Sequence, residues 1–438
     1  MSAVFISIKE AMVPANEGKD VSLRGWLYRT RGSNKMLFMV LRDATGIIQC
    51  VGSKEDLGEG AFQEASSLAV ESAVELHGSL SKDARAPGGF ELHMKGIKVV
   101  SAAERFPITK DQSEEFLRDN RHLWLRSRRM NAILKIRSTV TGAIHSFFRN
   151  KGYYEFTPPI FTPNACEGGS TLFEVKYYDD TIYLTQSWQL YAEAAVFSLE
   201  RVYDVSPTFR AERSKTSRHL SEFWMAEMEA AWIGYREAAA IAIEEIRYVI
   251  GTVLRENRDE LVLLGSDPER LERFLAKEWP TITYSEALEV LRTKGGMDVE
   301  WGKDLRTVEE EKLMEFFDTP VTIVQYPKGA MAFYKPVEEG ADAPGPVAKC
   351  FDIIAPEGYG ELVGGSERDT DIGSIKESLD REGEKAENYD WYLDLRRYGS
   401  VPHSGYGLGV ERLIAFMCRL DNIKDAIPFP RTMTRTYP

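Results

Sequence analysis

Cysteine is scarce: four residues in a chain of 438, Cys50, Cys166, Cys350 and Cys418, with no CxxC pair among them. That spacing argues against a zinc knuckle or a disulfide framework and predicts reduced, mostly buried thiols. Histidine is also thin, six residues with no HExxH or other metal-type grouping, and no GxSxG elbow occurs. A Ser/His/Asp hydrolase is therefore unsupported. No GxxxxGK[ST] loop is present, and the Gly-rich run Gly405-Tyr406-Gly407-Leu408-Gly409 has GxGxG rather than GxGxxG spacing. Both common nucleotide folds lose ground. Long apolar runs are missing too: Lys9, Glu17, Lys19 and Asp20 interrupt the stretch a signal peptide would need unbroken. The sequence predicts a cytoplasmic protein with no membrane partner. Positive charge is in deficit, 55 Lys and Arg against 68 Asp and Glu for a net of −13, which argues against an indiscriminate nucleic-acid coat. One segment departs from this. Residues 20–42 hold Arg24, Arg29, Arg31, Lys35 and Arg42 against Asp20 alone, a local excess of +4 that could meet one selective RNA.

The length suggests two domains, and the apolar patterning divides the same way. Between 21 and 100, short runs such as VSLRGWLY, MLFMVLRD, GIIQCVG and FELHMKGIKVV read as strands separated by turn clusters. Five such strands with one helical interruption fit a small closed barrel, of which the oligonucleotide-binding fold is the commonest kind. Residues 1–102 are taken as that domain, 103–130 as a charged hinge, and 131–438 as an α+β domain in which strands and helices alternate irregularly.

The chemistry-bearing segments lie in the second part. FRAERSKTSRHLSEF ends an apolar stretch in Phe209-Arg210-Ala211-Glu212 and returns through a basic loop (Arg213, Lys215, Arg218, His219) to Phe223. Further on, PHSGYGLGVERL sets a Gly-rich strand before a helix carrying Arg412. Two separated guanidinium groups suit a bent nucleotide held at its α- and γ-phosphates, and Phe223 could stack on a base. Between them KCFDIIAPEGYGELVGGSER supplies Asp352 and Glu361, hard oxygen ligands of the kind Mg²⁺ takes beside phosphates. Each segment alone has a bland reading, as a surface ion pair or a tight strand-to-helix turn. Their occurrence together and in order carries the signal.

Taken jointly, GYYEFTPPI with Pro159, FRAERSKTSRHLSEF and GYGLGVERL with Arg412 resemble motifs 1, 2 and 3 of the class II aminoacyl-tRNA synthetases. HIGH and KMSKS, the class I signatures, are absent. QSWQLY, RHLSEF and the N-terminal barrel are similar to the aspartyl, asparaginyl and lysyl subgroup. The resemblance implies an antiparallel catalytic sheet flanked by helices, a homodimer with motif 1 in its interface, and ATP-dependent charging of tRNA. It implies an ATP site of Arg210, Glu212, Arg218, His219, Phe223, Glu361, Gly409 and Arg412. Arg210 and Arg412 would be the catalytic cations on the α- and γ-phosphates, and Asp352 and Glu361 would hold Mg²⁺.

The same resemblance places Glu167, Ser187 and Gln189 around the substrate's amino group. Where the aspartyl enzymes carry a lysine against the side-chain carboxylate, this chain has Ala192, and Glu227 replaces their aspartate. Without that cation a buried aspartate is expensive, whereas a carboxamide needs only an acceptor and a donor, here Glu227 and Arg368. Asparagine and tRNA(Asn) are therefore the expected substrates. An aspartyl-type enzyme that misacylates tRNA(Asn) is the rival reading, and Ala192 counts against it. On the barrel, the positions matching the family's anticodon contacts are Arg31, Phe38 and Gln49, with Arg29 and Lys35 at phosphates. For Phe38 the alternative is a core aromatic on an alternating strand.

Overall fold

Alternation builds the first unit. In β1 (Asp20–Gly32), β2 (Met36–Arg42), β3 (Ile47–Ser53), β4 (Ala73–Lys82) and β5 (Phe90–Ser101), alternate side chains turn inward over much of each strand, most regularly in β2 and β4. Leu23, Leu37, Met39, Leu41, Ile48, Cys50, Leu76 and Leu92 fill the interior, each 1% exposed or less. The strands close in the order β1-β2-β3-β5-β4, an oligonucleotide-binding barrel as expected. Phe62, on the helix Glu59–Ser66 that interrupts the strands, packs into the same core.

The computed structural model describes residues 4–166, 171–214 and 216–438. They fall into two compact units, residues 1–123 and 124–438. The stretch read as a hinge, 103–130, carries the short helices Glu114–Asp119 and Arg121–Trp124 and the start of a third.

The second unit is organised by an eight-stranded sheet. In chain order its strands are β6 (Tyr154–Glu155), β10 (Arg201–Phe209), β11 (Glu222–Ala231), β12 (Thr281–Thr283), β13 (Val321–Val324), β14 (Cys350–Ala355), β15 (Gly360–Glu367) and β16 (His403–Gly409). A separate small sheet joins β7 (Phe161–Thr162), β8 (Glu174–Tyr177) and β9 (Asp180–Leu184). The large sheet runs β12-β13-β14-β15-β16-β11-β10-β6. Its six central strands are antiparallel, but β12 pairs parallel with β13 and β6 parallel with β10. The expectation of an antiparallel sheet is thus corrected to a mixed one, because two- and three-residue edge strands are too short to show a period. The long helices Arg128–Asn150 and Tyr235–Glu256 have apolar stripes buried at helical spacing, such as Ile133, Ile136, Val140 and Ile144. From Tyr235–Glu256, Glu245 reaches Tyr406 of β16 at 2.6 Å, which marks the face of the sheet that the helix covers. Among the described residues no helix is long and apolar enough to cross a membrane.

Candidate active site

The floor of the site is a row of backbone. Glu227 of β11 pairs with Gly407 of β16, Gly407 with Gly364 of β15, and Gly364 with Asp352 of β14. Two positions without side chains therefore separate two carboxylates, about 14 Å apart at the backbone from three strand spacings. A Cβ on Gly407 would stand 2.5 Å from the Met225 Cε, and one on Gly364 would stand 2.7 Å from Glu361 Oε1 and 3.4 Å from Asp352 Oδ1. Glu361 is an odd number of residues from Gly364 and in a regular strand would face the other way. A register shift opposite Ile353 and Ile354 inserts one residue into β15 and turns Glu361 back onto the floor.

Over this floor lie two clefts that share Arg210, Met225, Glu361 and Gly407. The first is lined by all eight residues expected to meet ATP: Arg210, Glu212, Arg218, His219, Phe223, Glu361, Gly409 and Arg412. Arg210 leaves the end of β10 with its guanidinium 5.4 Å from the Phe223 ring, and its buried Nε has no hydrogen-bond partner among the described residues. An orphan cationic donor in a cleft suits an anionic ligand. His219 sits 3.4 Å from Glu212, and its hydrogen bond holds the Glu212 carboxyl below the usual range. Arg412 donates to the Glu361 carbonyl at 2.6 Å, and Arg218 pairs with Glu311.

The second cleft is lined by Ser187, Gln189, Glu227 and Arg368 together with Arg210, Asp352 and Glu361. Glu227 accepts from Ser187 Oγ at 2.5 Å and from the Trp188 amide at 3.2 Å. Arg368 is gripped by Glu229 through Nε (3.0 Å) and Nη2 (2.8 Å), and its Nη1 donates to Ser366 at 2.8 Å. Its charge is thus compensated before any substrate arrives. Ala192 packs with Trp188, Val196 and Val202 in an apolar cluster. Glu167 and Lys215 lie outside the described residues.

The donor set at the Asp352 end fits a divalent cation. Burial and the neighbouring Glu361 carboxylate push the Asp352 carboxyl well above its ordinary range, the signature of paired acids short of positive charge. Among the described residues no three His, Cys, Asp or Glu side chains converge on one point. Two carboxylates completed by phosphate oxygens and water is the set Mg²⁺ takes in nucleotide sites.

Several residues here carry no sequence signal. Asp304, Met331, Tyr334 and Lys335 line the second cleft, from a segment whose sequence points to no particular chemistry. Burial first, then Glu361, pushes the Glu310 carboxyl up to about 7. Glu411, beside Arg412, accepts from Arg137 at 2.6 Å and from the Trp224 amide at 2.9 Å, tying the helix Val410–Cys418 to the helix Arg128–Asn150 and to β11.

The barrel carries its own candidate face. In β2 the residues Leu37, Met39 and Leu41 point inward, so Phe38 and Val40 point out, and the core reading of Phe38 is excluded. Arg31 pairs with Phe38 across β1 and β2 and lies 5.3 Å from its ring. Gln49 is opposite Val40 and donates to Glu91 of β5 at 3.0 Å. Arg31, Phe38 and Gln49 thus share one outer face with Arg29 and Glu91, while Lys35 is exposed at the β1–β2 turn.

Residues 90–433 match the family model for class II tRNA synthetases (D, K and N), and residues 21–100 match that for the OB-fold nucleic acid binding domain. The asparagine–tRNA ligase of Thermoplasma acidophilum is 45% identical over 434 residues, covering 99% of this chain and 100% of the relative. The chain belongs to the asparaginyl-tRNA synthetase family. Among solved members, the Pyrococcus horikoshii asparaginyl-tRNA synthetase complexed with asparaginyl-adenylate superposes with a TM-score of 0.94 at 42% identity, over 100% of both chains. The Entamoeba histolytica enzyme in complex with asparaginyl-adenylate follows at 0.87 and 28%, also over 100% of both chains.

Proposed function

We propose that the chain ligates asparagine to tRNA(Asn) through an asparaginyl-adenylate, releasing pyrophosphate and AMP. The observation that carries this is the junction of the two clefts at Arg210, where an amino-acid carboxylate from one side meets an α-phosphate from the other. Attack of the carboxylate on that phosphorus concentrates negative charge beside a guanidinium whose Nε has no partner among the described residues. Positioning and electrostatics suffice, and no protein nucleophile is required. Arg412 and His219 hold the γ-phosphate, Phe223 stacks on adenine and Glu212 meets its amino group. Asp352 and Glu361 would hold Mg²⁺, which when bound offsets the charge of the phosphates.

At the other end Glu227 accepts from the carboxamide and Arg368 donates to its oxygen. With Glu229 already on Arg368 and the Glu227 carboxylate in the same pocket, a substrate carboxylate would meet a compensated cation and a like charge, which favours asparagine over aspartate. In the second step the terminal ribose hydroxyl of tRNA attacks the adenylate carbonyl and AMP leaves. The outer face at Arg31, Phe38 and Gln49 reads the anticodon. A homodimer through motif 1 accounts for the exposed Tyr154, Ile160 and Phe161, apolar surface a monomer rarely displays together.

Amino-acid-dependent ATP–pyrophosphate exchange across all twenty amino acids tests the assignment. Asparagine alone should support exchange. Equal rates with aspartate would overturn the substrate assignment in favour of the misacylating alternative.

A further inference from the structure

Glu193 takes no part in the chemistry above, yet four side chains converge on its carboxylate. It lies one turn into the helix Gln189–Leu199 and is completely buried. Oε1 accepts from Gln189 Nε2 at 3.0 Å and from the Tyr392 hydroxyl at 2.9 Å. Oε2 accepts from Arg396 Nη2 at 2.5 Å and lies 3.0 Å from His403 Nε2. Burial alone would favour the neutral acid, but Arg396 and His403 hold the group well below the ordinary carboxylate range. The result is a buried acceptor with no proton to donate.

Of these four partners only Gln189 lines the amino-acid cleft. Its backbone N–H donates to Ser187 Oγ at 3.1 Å, and Ser187 in turn donates to Glu227. A glutamine side chain is ambivalent, since one end donates and the other accepts. With its NH₂ committed to Glu193, what remains for the cleft is the carbonyl oxygen. A substrate ammonium carries three donors and no acceptor, so it is recognised by that oxygen and repelled by an NH₂.

We propose that Glu193 is a positioning residue for amino-acid binding: it fixes the polarity of the Gln189 amide so that the oxygen meets the substrate's α-ammonium group. This rests on the reading that asparagine binds in the second cleft with its amino group at Gln189. Only a carboxylate does this unambiguously, because an amide at position 193 could donate or accept and would leave Gln189 free to turn over. Tyr392, Arg396 and His403 serve to keep Glu193 ionised and aimed.

The test compares equilibrium binding of L-asparagine with that of succinamate, the same molecule without its ammonium group. Glu193→Gln should lower the preference for asparagine by about ten- to a hundred-fold, the range for one hydrogen bond to a charged group, with ATP binding unchanged. Glu193→Asp keeps the charge opposite Arg396 but withdraws the acceptor from Gln189, so it should lose the preference even if the first variant does not fold. The exchanged pair Gln189→Glu with Glu193→Gln returns an acceptor to the cleft and should restore it. Equal weakening of both ligands, or no recovery in the exchanged pair, would overturn the role of Glu193. A parent protein that does not bind asparagine would instead overturn the functional reading beneath it.

Discussion

Replacing Gly364 with alanine adds one methyl group to the floor of the site, and the geometry separates its effect on folding from its effect on function. The new Cβ would lie 2.7 Å from Glu361 Oε1, whereas ordinary contact begins near 3.4 Å. Oε1 must therefore retreat by about 0.7 Å, several times the ~0.2 Å tolerance of a metal–oxygen distance. For the fold this is cheap, because the displaced atom is the end of a flexible side chain. Gly364 is also absent from the glycines with positive φ, so alanine enters without backbone strain and narrows the unfolded ensemble by about 0.4–1 kcal/mol. The melting temperature should hold or rise slightly. For the site the change is severe: the cradle between Asp352 and Glu361 is filled, and asparagine-dependent exchange at saturating Mg²⁺ and ATP should fall about 100-fold or more. Parallel melts and exchange assays over a Mg²⁺ series read both quantities. Exchange within two-fold of the parent would refute the metal cradle, and a collapse in melting temperature would refute the claim that the floor tolerates a methyl group.

Three further outcomes follow from the same geometry. Phe38→Ala should leave the barrel's stability nearly unchanged, since the ring faces outward, yet cost about 1–3 kcal/mol in tRNA(Asn) binding, measurable by filter binding. Glu227→Ala leaves Ser187 Oγ and the Trp188 amide without their acceptor and should cut asparagine-over-aspartate discrimination in the exchange assay by about 100-fold. Glu245 is completely buried, and burial pushes its carboxyl from 4.5 up to about 8 against the opposing Tyr406 hydrogen bond. Because its folded value lies above the unfolded one, stability is lost as pH rises from about 4.5 and the loss is complete above about 8, amounting to ~3 kcal/mol at pH 7. Glu245→Gln should flatten that slope in denaturant titrations, and an unaltered pH dependence would show that Glu245 does not carry it.

Elements written locally in the chain are legible in the sequence itself. Alternation over MLFMVLR places Leu37, Met39 and Leu41 in a barrel core, and FRAE and GLGVER mark strand ends where charged groups gather. What escapes a reading along the chain depends on pairing between distant strands. The Glu227-Gly407-Gly364-Asp352 row exists only once β11, β16, β15 and β14 lie side by side, and none of its members is close in sequence to all the others. Asp304 and Lys335 come from a segment whose helices have the pattern of ordinary amphipathic surface, and nothing local says that they close a cleft. Glu193 is, by its neighbours in sequence, one more helix acid, because its partners Tyr392, Arg396 and His403 are about 200 residues away.

A floor made of glycine backbone has a consequence for how this scaffold could change its substrate. Side-chain walls can be remodelled by rotamer changes or by exchanging one residue for another of different size, but the shape of the floor is set by the hydrogen-bond ladder and twist of four paired strands. Any larger residue there collides with groups that also line the site, as the Cβ contacts at Gly364 and Gly407 already do. New specificity must therefore be written at the rim, in Ser187, Gln189, Glu227 and Arg368 and the buried partners that aim them, while the centre stays blank.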